Sequence, residues 1–539
     1  MSEFAEQTVS VPVLQRSPMP RANATVDEDK APSVSYVPSS LSNGEFVSAI
    51  TTKFILDQGL AYSGKEVKLT GTVMRYKKQT QRAFGHIVDG SECKGLQFVH
   101  FFSDETSTDL KSFMDAVKVG SSVIISGTIV ESPAKGQDTE LLVESARTIS
   151  TIDDPESYQY SAQMTKKKTP VEWDERMISI RPQTYERFKD TIIQAIMRIR
   201  SEIEMELYIF FRIHGFKKIA SPIITDADCE GAGEMFSITS MDMDHPHKTP
   251  DGKVDFSKDF FGKHAKLTVS GQLDAEALAQ SLHKVFTFGH TFRAENSNTS
   301  RHLAEFLMLE PEFVLTHDDL KERFSSLLDL EESMVKHIIQ YLLTSITGQD
   351  DLTYLSLTIS PTIITDLQKI IAQPFGRVTY TEVIDILLQA VKGGIKFDQS
   401  TIEWGMDLGS EHERYLCEKV FDKPVFVTHY PQDLKSFYMK ADEGCPEGRR
   451  TCQAVDLLVP GIGELCGGSM REDDPDKLLE QMTKKGISHT DLKWYVDLRR
   501  NGGFPTGGFG LGFERLVRMV TGISSIRDVI PFPRYPGHV

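Results

Sequence analysis

Residues 285–315 read VFTFGHTFRAENSNTSRHLAEFLMLEPEFVL, two apolar runs separated by a polar segment. The runs, Val285 to Phe292 and Glu305 to Leu315, contain the aromatic and β-branched residues that suit a half-buried sheet. The segment between them, ENSNTSRH, has the Asn and Ser content of an exposed loop. The stretch therefore predicts an antiparallel hairpin, and the rest of the chain can be interpreted around it.

Two charged residues stand at the end of the first predicted strand. Arg293 and Glu295 are two positions apart, which in a strand would direct both side chains to one face of the sheet. A guanidinium beside a carboxylate can bind a phosphate with the cation and a ribose, metal or amine with the anion. A surface ion pair across strands is the alternative, and the hairpin alone does not decide between them.

A second stretch, residues 506–523, reads TGGFGLGFERLVRMVTGI and combines a glycine-rich strand pattern with a helical one. Glycine recurs at a period of two, at Gly508, Gly510 and Gly512. Glycines on one strand face leave the backbone open to a flat ligand. Arg515 follows at the expected strand-to-helix junction, where it can reach a terminal phosphate. The pattern is neither GxGxxG nor a phosphate loop ending in Gly-Lys-Ser/Thr.

In this order the two stretches resemble motifs 2 and 3 of the class II aminoacyl-tRNA synthetases, near 285–315 and 506–523. Residues 188–225 are similar to motif 1, which in this family forms the dimer interface. They combine a long amphipathic helix with the strand KIASPIIT, and Gly215 is the expected helix stop. The apolar positions of that helix are Phe188, Ile192, Ile196, Ile199, Ile203, Leu207 and Phe210. The resemblance covers roughly residues 60–539 and implies an α+β fold with a central antiparallel sheet flanked by helices.

Composition limits the classes of function. With 539 residues the chain exceeds a single core, and its 40% apolar and 25% charged content is typical of soluble globular proteins. The apolar runs are shorter than the roughly 18 residues of a membrane span, and no signal or transit peptide is evident. Six cysteines without CxxC pairing favour a reducing compartment, and we expect a cytoplasmic protein without a membrane partner. A net charge of −17 argues against a general nucleic-acid coat.

The chain divides into four predicted segments. Residues 1–45 lack periodicity and are interpreted as a disordered or loosely ordered extension. Residues 46–150 contain five short strands with a helical insert, which predicts a Greek-key barrel of the OB type. Residues 151–182 are interpreted as a linker and residues 183–539 as the catalytic domain.

The predicted barrel carries a basic run followed by an aromatic residue. Such a combination binds a single strand through its phosphates and by base stacking. A solvated charge run beside a core phenylalanine is the alternative. The family resemblance is to the anticodon-binding barrel of the Asp, Asn and Lys subclass. It implies anticodon contacts by Arg75, Lys77, Lys78, Arg82 and Phe84.

Residues 452–471, CQAVDLLVPGIGELCGGSMR, contain two carboxylates that flank a Pro-Gly turn. Asp456 and Glu464 can converge and hold magnesium between phosphates, and Arg471 can bind a small ligand in a fork. Structural ion pairs are the alternative. A separate group of histidines lacks Cys or Glu partners, so no zinc site is predicted at His245, His247 or His264.

The resemblance implies an ATP-dependent reaction in which an amino-acid carboxylate attacks the α-phosphorus of ATP, with Mg²⁺ as cofactor. It gives catalytic roles to Arg293, Glu464 and Arg515 and makes Asp456 and Glu464 the metal ligands. The ATP contacts that it implies are Arg293, Ala294, Glu295, Arg301, His302, Leu303, Phe306, Glu464, Gly512, Phe513, Glu514 and Arg515. The amino-acid contacts that it implies are Glu230, Ser270, Gln272, Arg293, Glu305, Glu310, Gly467 and Arg471.

Within the subclass, the hairpin is more similar to the asparagine-charging members, so L-asparagine and tRNA(Asn) are the expected substrates of a homodimer. Aspartate enzymes usually carry a lysine at the position of Ala275, and those of archaeal and eukaryotic type often carry Ser where this chain has Gly467. Glu305 or Glu310 would accept the amide NH₂ of asparagine, and the sequence does not decide which. An aspartate enzyme is the first alternative; a tRNA-independent asparagine-forming ligase and an inactive RNA-binding paralogue are more remote.

Overall fold

The computed structural model describes residues 50–133, 136–152, 173–175, 177–178, 186–227, 235–297, 299–399, 401–446 and 448–539. The predicted extension and most of the predicted linker lie outside these residues. Residues Ile50–Val539 form one compact unit.

The first part of this unit is a closed five-stranded barrel, as predicted. Helix α1 (Thr52–Gln58) precedes it, and helix α2 (Thr108–Ala116) is the expected insert between the third and fourth strands. The strands close in the order β1-β2-β3-β5-β4. Their bounds are β1 Glu66–Lys78, β2 Arg82–Val88, β3 Leu96–Phe101, β4 Ser122–Glu131 and β5 Thr139–Ser150. Alternate residues such as Val73, Ile87 and Phe98 fill the interior, which leaves the other face of each strand for polar side chains.

The second part contains an eight-stranded sheet in the order β12-β13-β14-β15-β16-β11-β10-β6. Its strands are β6 Lys217–Ile219, β10 Lys284–Phe292, β11 Glu305–Val314, β12 Gly376–Thr379, β13 Val425–Thr428, β14 Ala454–Val459, β15 Gly463–Met470 and β16 Thr506–Gly512. The pairs from β13 to β10 are antiparallel, and only the two outermost pairs are parallel. A small sheet, β7-β9-β8, lies beside it, with strands β7 Ile224–Thr225, β8 Ser237–Ile238 and β9 Ala265–Leu267. The predicted central antiparallel sheet is therefore confirmed.

The predicted hairpin is the pair β10 and β11, in register from Lys284 opposite Phe313 to Phe292 opposite Glu305. Leu309 and Phe313 of β11 pack into the helical core of this part. Because side chains alternate along a strand, Glu310 and Glu312 point to the opposite face. This alternation separates an apolar face of the sheet from a charged one.

Ten helices in the described residues accompany the two sheets, several of them packed against the apolar face. Among the described residues, no helix is both long enough and apolar enough to span a membrane. The helices are α3 Thr191–Ile213, α4 Gln272–Leu282, α5 Leu320–Thr344, α6 Ile346–Thr358, α7 Ile363–Ile371, α8 Tyr380–Lys392, α9 Ser410–Tyr415, α10 Pro475–Lys484, α11 Lys493–Arg500 and α12 Phe513–Thr521. Short 3-10 turns occur at Gly59–Tyr62, Glu186–Lys189, Phe256–Lys258, Gln432–Leu434 and Ile526–Asp528, and a π turn at Leu416–Val420.

Helix α3 is the amphipathic helix expected from the sequence. Two details of the predicted helix-and-strand segment are corrected. Its predicted apolar positions from Ile192 to Phe210 are buried, and Gly215 follows with φ +85°, but Phe188 belongs to the preceding 3-10 turn. The predicted strand KIASPIIT is two strands, β6 and β7, in different sheets. Pro222 lies between them and has no N–H to continue a ladder.

The barrel is joined to the helical layer through Arg198 of α3. Its guanidinium donates to the Gly90 carbonyl at 2.6 Å, to Asp351 at 2.6 and 2.9 Å, and to Cys93 Sγ at 2.8 Å. Residues of both parts line a cavity of about 1110 Å³ beside this contact. One arginine thus connects a barrel loop with two helices.

Glu331 of α5 is fully buried, and in the described part of the chain neither of its carboxylate oxygens has a hydrogen-bond partner. Burial, followed by the charge of Asp456, raises the pKa of Glu331 well above its ordinary value. The folded protein therefore holds a proton that the unfolded chain releases at neutral pH. The folding stability that protonated Glu331 contributes is lost as the pH rises toward the pKa of this group in the folded protein.

Replacing Glu331 by Met should stabilise the protein by about 1–4 kcal/mol at pH 8, as when other buried ionic groups are replaced by apolar ones. The gain in stability should be smaller at pH 5, where Glu331 of the wild type is more fully protonated in both the folded and the unfolded state. Urea unfolding at the two pH values measures this difference. The exposed Glu322→Met on the same helix is the control, and an equal gain at both pH values for Glu331→Met would contradict the prediction.

Candidate active site

The charged face of the sheet ends at Arg515. This residue lies in the first turn of α12, the helix that begins directly after Gly512. Its Nη1 donates to the Glu464 carbonyl at 2.7 Å and to the Glu464 carboxylate at 3.1 Å. A Cβ built at Gly512 would meet only the Arg515 stem, at 3.4 Å or more. Arg515 therefore lies at the strand-to-helix junction, beside an open stretch of backbone.

Other arginines gather around Arg515. Burial, followed by the charge of Arg414, lowers the pKa of Arg301, and Arg515 acts in the same direction. Arg301 is partly buried, whereas Arg414 is exposed. Arg301 therefore lies close enough to Arg414 and Arg515 to be affected by their charge, and a polyphosphate would relieve this repulsion.

Arg293 begins the loop that follows β10, and its guanidinium carbon lies 5.6 Å from the centre of the Phe306 ring. Residues 293–297 have no regular structure. The strand alternation predicted for Arg293 and Glu295 is therefore wrong, because β10 ends at Phe292. Glu295 lies 3.7 Å from His302 Nε2 and, with Ala294, forms part of this loop.

Asp456 and Glu464 converge above Gly467, as the turn between them suggested. A Cβ at Gly467 would lie 3.0 Å from a Glu464 oxygen and 3.5 Å from an Asp456 oxygen. Both carboxylates already have cations: Lys435 Nζ binds Asp456 at 2.7 and 2.8 Å, and Arg515 binds Glu464. Across the described residues, no three His, Cys, Asp or Glu side chains are grouped to hold a metal ion. The two carboxylates fit a divalent cation only with further ligands from substrate phosphates.

Glu413 of α9 is a third carboxylate beside Asp456 and Glu464, and the sequence did not indicate it. Its carboxylate accepts the Glu464 backbone N–H at 3.4 Å. Burial, followed by the charges of Glu464 and Asp456, raises the pKa of Glu413 to about 7. A partly protonated carboxyl thus borders the cation-binding pair.

A second pocket lies toward the start of α4. Gly271 N donates to Glu310 at 2.9 Å, and Ser270 Oγ donates to the same carboxylate. Gln272 Nε2 donates to Glu276 at 2.8 Å. Three of the residues assigned to amino-acid binding are therefore close together, while Glu230 lies outside the described residues.

The floor of this pocket is an ion pair that the sequence did not predict. Arg471 Nε donates to Glu312 at 3.1 Å, and its Nη2 contacts the other Glu312 oxygen. Burial disfavours the charged guanidinium, but Glu312 outweighs it and the pKa of Arg471 is raised. Arg471 therefore stays charged although both side chains are buried, whereas burial, opposed by the charge of Arg471, raises the pKa of Glu312 to about 7.

Glu276 anchors a neighbouring network that was also missed. It accepts from Thr506 Oγ1 at 3.0 Å, and from Tyr495 and Arg499 of α11. These partners come from distant parts of the chain and carry no common sequence pattern. In the sequence, only the presence of an acidic residue one helical turn after Gln272 could have suggested this network.

Several expected ATP contacts point elsewhere. Phe513 and Leu303 are buried in the helical core, because the apolar side of α12 packs there. Glu514 accepts from Arg200 of α3 at 2.7 Å and from Leu307 N at 3.1 Å, which turns its side chain away from the charged face. The side-chain roles predicted for these three residues are therefore corrected.

Two other expectations change. Glu305 lies at the end of the hairpin, 2.9 Å from His290, and pairs with the backbone of Arg534, whereas Glu310 is the candidate that bonds to Ser270. The face above Gly508 and Gly510 is not free for a flat ligand. A Cβ at Gly510 would be 2.5 Å from Met308 Cε, and one at Gly508 would overlap Glu312.

The basic run of the barrel divides between two regions. Lys77 pairs with Phe84 across β1 and β2, and the Arg82 guanidinium lies 5.7 Å from the Phe84 ring. Lys78 forms an ion pair with Asp115 of α2, and Arg75 lines the cavity beside the helical layer. Lys77, Arg82 and the half-buried Phe84 therefore form a common surface, from which Lys78 points away, while Arg75 lies on the same face of β1 as Lys77, toward the cavity.

The chain is similar to known proteins over most of its length. A family model described as tRNA synthetases class II (D, K and N) matches residues 180–536. An asparagine–tRNA ligase from Actinobacillus succinogenes is 42% identical over 484 residues, which are 89% of this chain and 97% of that protein. The corresponding ligase from Cytophaga hutchinsonii is also 42% identical, over 90% of this chain and 98% of its own length.

Among solved structures, asparaginyl-tRNA synthetase from Pyrococcus horikoshii, complexed with asparaginyl-adenylate, is similar with a TM-score of 0.74. The sequence identity is 29%, and the match covers 92% of this chain and 99% of that one. The matches to the two ligases and to the Pyrococcus structure include the barrel as well as the larger sheet, since each covers about nine tenths of this chain.

Proposed function

The chain belongs to the class II tRNA synthetases of the D, K and N group, and we propose that it is an asparagine–tRNA ligase. It activates L-asparagine with ATP to asparaginyl-adenylate and pyrophosphate, and transfers the asparaginyl group to tRNA(Asn). The names of its relatives and the adenylate in the Pyrococcus complex support this assignment.

The charge of the pocket at the start of α4 is the observation that favours asparagine. Glu276, Glu310 and Glu312 bring three carboxylates, against the two guanidinium groups of Arg471 and Arg499. An aspartate side chain would add a fourth negative charge to a desolvated site, which is costly. The neutral amide of asparagine avoids this cost and can donate to a carboxylate. Aspartate is thus disfavoured by repulsion.

Ala275 contributes to the same preference. It is fully buried against Val285, whose neighbour across the hairpin is Glu312. A lysine here would bring a third cation close to the carboxylates. Glu310 is our choice for the residue that accepts the amide, because it faces Ser270 and Gly271, whereas Glu305 faces His290.

Adenylate formation requires positioning and charge neutralisation rather than covalent catalysis by the protein. Arg293 binds the α-phosphate and the substrate carboxylate, and the adenine stacks on Phe306 beside it. Arg515, with Arg301, neutralises the leaving pyrophosphate. The terminal adenosine of the tRNA then attacks the mixed anhydride, and the 3′ end reaches it over the same face of the sheet.

A magnesium ion would be held by Glu464 together with ATP phosphates, and would neutralise phosphate charge. Asp456 is not assigned as a second ligand, since both of its oxygens contact Lys435. The anticodon is bound by the surface of Lys77, Arg82 and Phe84. That barrel argues against a tRNA-independent ligase, which would not need an anticodon reader.

The protein is proposed to be cytoplasmic, where its unbridged cysteines among the described residues would remain reduced. Cell fractionation would test this location.

Asparagine, aspartate and lysine should be compared in ATP–pyrophosphate exchange. Asparagine should support exchange at least a hundredfold better than aspartate, and Ala275→Lys should narrow this ratio mainly by reducing the rate with asparagine. Ala275→Met, which adds volume without charge, is the control for overpacking. Equal exchange with aspartate in the wild type would assign the chain to the aspartate branch.

Arg515→Ala should reduce exchange on the order of a hundredfold or more, since preorganised charge at other sites contributes that much. Arg293→Ala should behave similarly. Single-turnover measurements at saturating ATP separate loss of catalysis from loss of binding, and the exposed Arg500→Ala should leave the rate unchanged. Near-normal exchange in both site variants would refute their roles.

Phe84→Ala should lose about 1–3 kcal/mol of base stacking, which would raise KM for tRNA in the charging reaction. Pyrophosphate exchange should be unaffected, because it does not involve the barrel. The exposed Phe54→Ala of α1 serves as the control aromatic substitution. If both activities fell together, the barrel would not act as an independent anticodon reader.

We also propose that a second copy of the chain covers the exposed face of α3, where Met205 is 60% and Ile213 is 62% exposed. Replacing both by Asp should convert the dimer to a monomer in analytical ultracentrifugation. Val391→Asp, at an exposed apolar position of α8, should keep the dimer. A wild type that sediments as a monomer would exclude the homodimer.

A further inference from the structure

Lys435, which no sequence motif singled out, has its ammonium in contact with both oxygens of Asp456. It follows the 3-10 turn Gln432–Leu434, and Nζ lies 2.8 Å from Oδ1 and 2.7 Å from Oδ2. Both side chains are largely buried, with 18% and 14% of their surface exposed. A single ammonium thus occupies the side of Asp456 where a divalent cation would bind both oxygens.

The ammonium is fixed by more than this ion pair. Nζ lies 3.9 Å from the centre of the Tyr430 ring, and the buried Tyr430 is also hydrogen-bonded to Asp456. Burial opposes the charged form of Lys435, but Asp456 and Glu464 outweigh it and its pKa is raised. Lys435 is therefore a held cation rather than a mobile surface lysine.

The second carboxylate is arranged differently. Glu464 is bound by Arg515 through one carboxylate oxygen, Oε2, at 3.1 Å. Its other oxygen is the one that approaches the Cβ position of Gly467 at 3.0 Å. Glu464 therefore keeps an oxygen directed toward the space above Gly467, whereas both oxygens of Asp456 are engaged.

We propose that Lys435 is the fixed counter-ion of Asp456 and prevents the Asp456–Glu464 pair from binding a divalent cation before ATP arrives. Magnesium then enters with the nucleotide, bound by Glu464 and phosphate oxygens, which agrees with its preference for few carboxylates and several phosphate or water ligands. Asp456 acts as a positioning residue for Lys435, not as a metal ligand. This inference rests on the proposed function, since it concerns the metal of an ATP-dependent enzyme.

The consequence is ordered binding. An enzyme whose carboxylates were free would hold a divalent cation at millimolar metal and would present a charged, hydrated site to ATP. With Lys435 and Arg515 in place, Asp456 and Glu464 each have a cation partner, which weakens their attraction for a further cation.

The test measures binding of Mn²⁺ to the full chain without ATP or amino acid. Binding is detected as a decrease in the paramagnetic resonance signal of free Mn²⁺. Wild type should bind Mn²⁺ weakly, and Lys435→Met should bind it at least tenfold more tightly. The gain should disappear in Lys435→Met/Asp456→Asn, whereas Lys435→Arg, which keeps the charge, should resemble the wild type. Addition of a non-hydrolysable ATP analogue should allow Mn²⁺ to bind to the wild type and to Asp456→Asn alike.

Tight Mn²⁺ binding by the wild type without nucleotide, lost in Asp456→Asn, would overturn the proposal even if Lys435→Met did not fold. So would loss of nucleotide-dependent Mn²⁺ binding in Asp456→Asn when circular dichroism shows a native fold. The nucleotide-free titrations use no substrate. Failure of asparagine-dependent exchange would therefore refute the proposed function without changing their outcome, and the two failures can be distinguished.

Discussion

The buried ion pair between Arg471 and Glu312 is the constraint on which the charged face of the sheet depends. The two residues come from opposite sides of β16 and meet above Gly508, which is opposite Ser469 on one side and Glu312 on the other. A Cβ at Gly508 would overlap the Glu312 carboxylate. The glycine at this position therefore makes room for a buried protein ion pair, in which loss of either partner would leave an uncompensated buried charge.

Charge on this face is arranged in pairs with defined partners. Arg471 is matched by Glu312, Arg499 by Glu276, Lys435 by Asp456, and Arg515 by Glu464. Each pair comes from elements distant in sequence, so the ionised groups hold the strands and α11 in register as well as forming the pockets. Carboxylates are in surplus near α4, and arginines are in surplus near Arg515. The first region therefore suits a neutral amide, and the second suits a polyphosphate.

Recognition at a distance requires the barrel to keep its place relative to the sheet. Arg198 provides that contact through Gly90, Cys93 and Asp351, and Lys53 adds an ion pair with Asp350 at 2.6 Å. These contacts lie on the side of the barrel that carries Arg75, not on the surface of Lys77 and Phe84. The surface proposed to bind the anticodon lies apart from these contacts, so substitutions there can be made without disturbing the junction.

Patterns local in sequence were enough to determine several features. The hairpin, the glycine strand, the closed barrel and the approach of Asp456 to Glu464 all follow from alternation, turn chemistry or short spacing. These signals depend on neighbours along the chain, and the polypeptide expresses them whatever it packs against. The resemblance to the family motifs added the order of these elements, because two such patterns occur together.

The tertiary structure alone decided which charges meet. Glu276, Glu312, Lys435 and Arg499 have no distinctive sequence context, and each gains its role from a partner 21 to 223 positions away. The rotation of α12 is equally a matter of packing: Phe513 and Glu514 turn inward because the helix presents its apolar side to the core and Arg200 binds the carboxylate. Long-range electrostatics and helix rotation depend on the whole fold, since both are fixed by surfaces that come together only after the elements have formed.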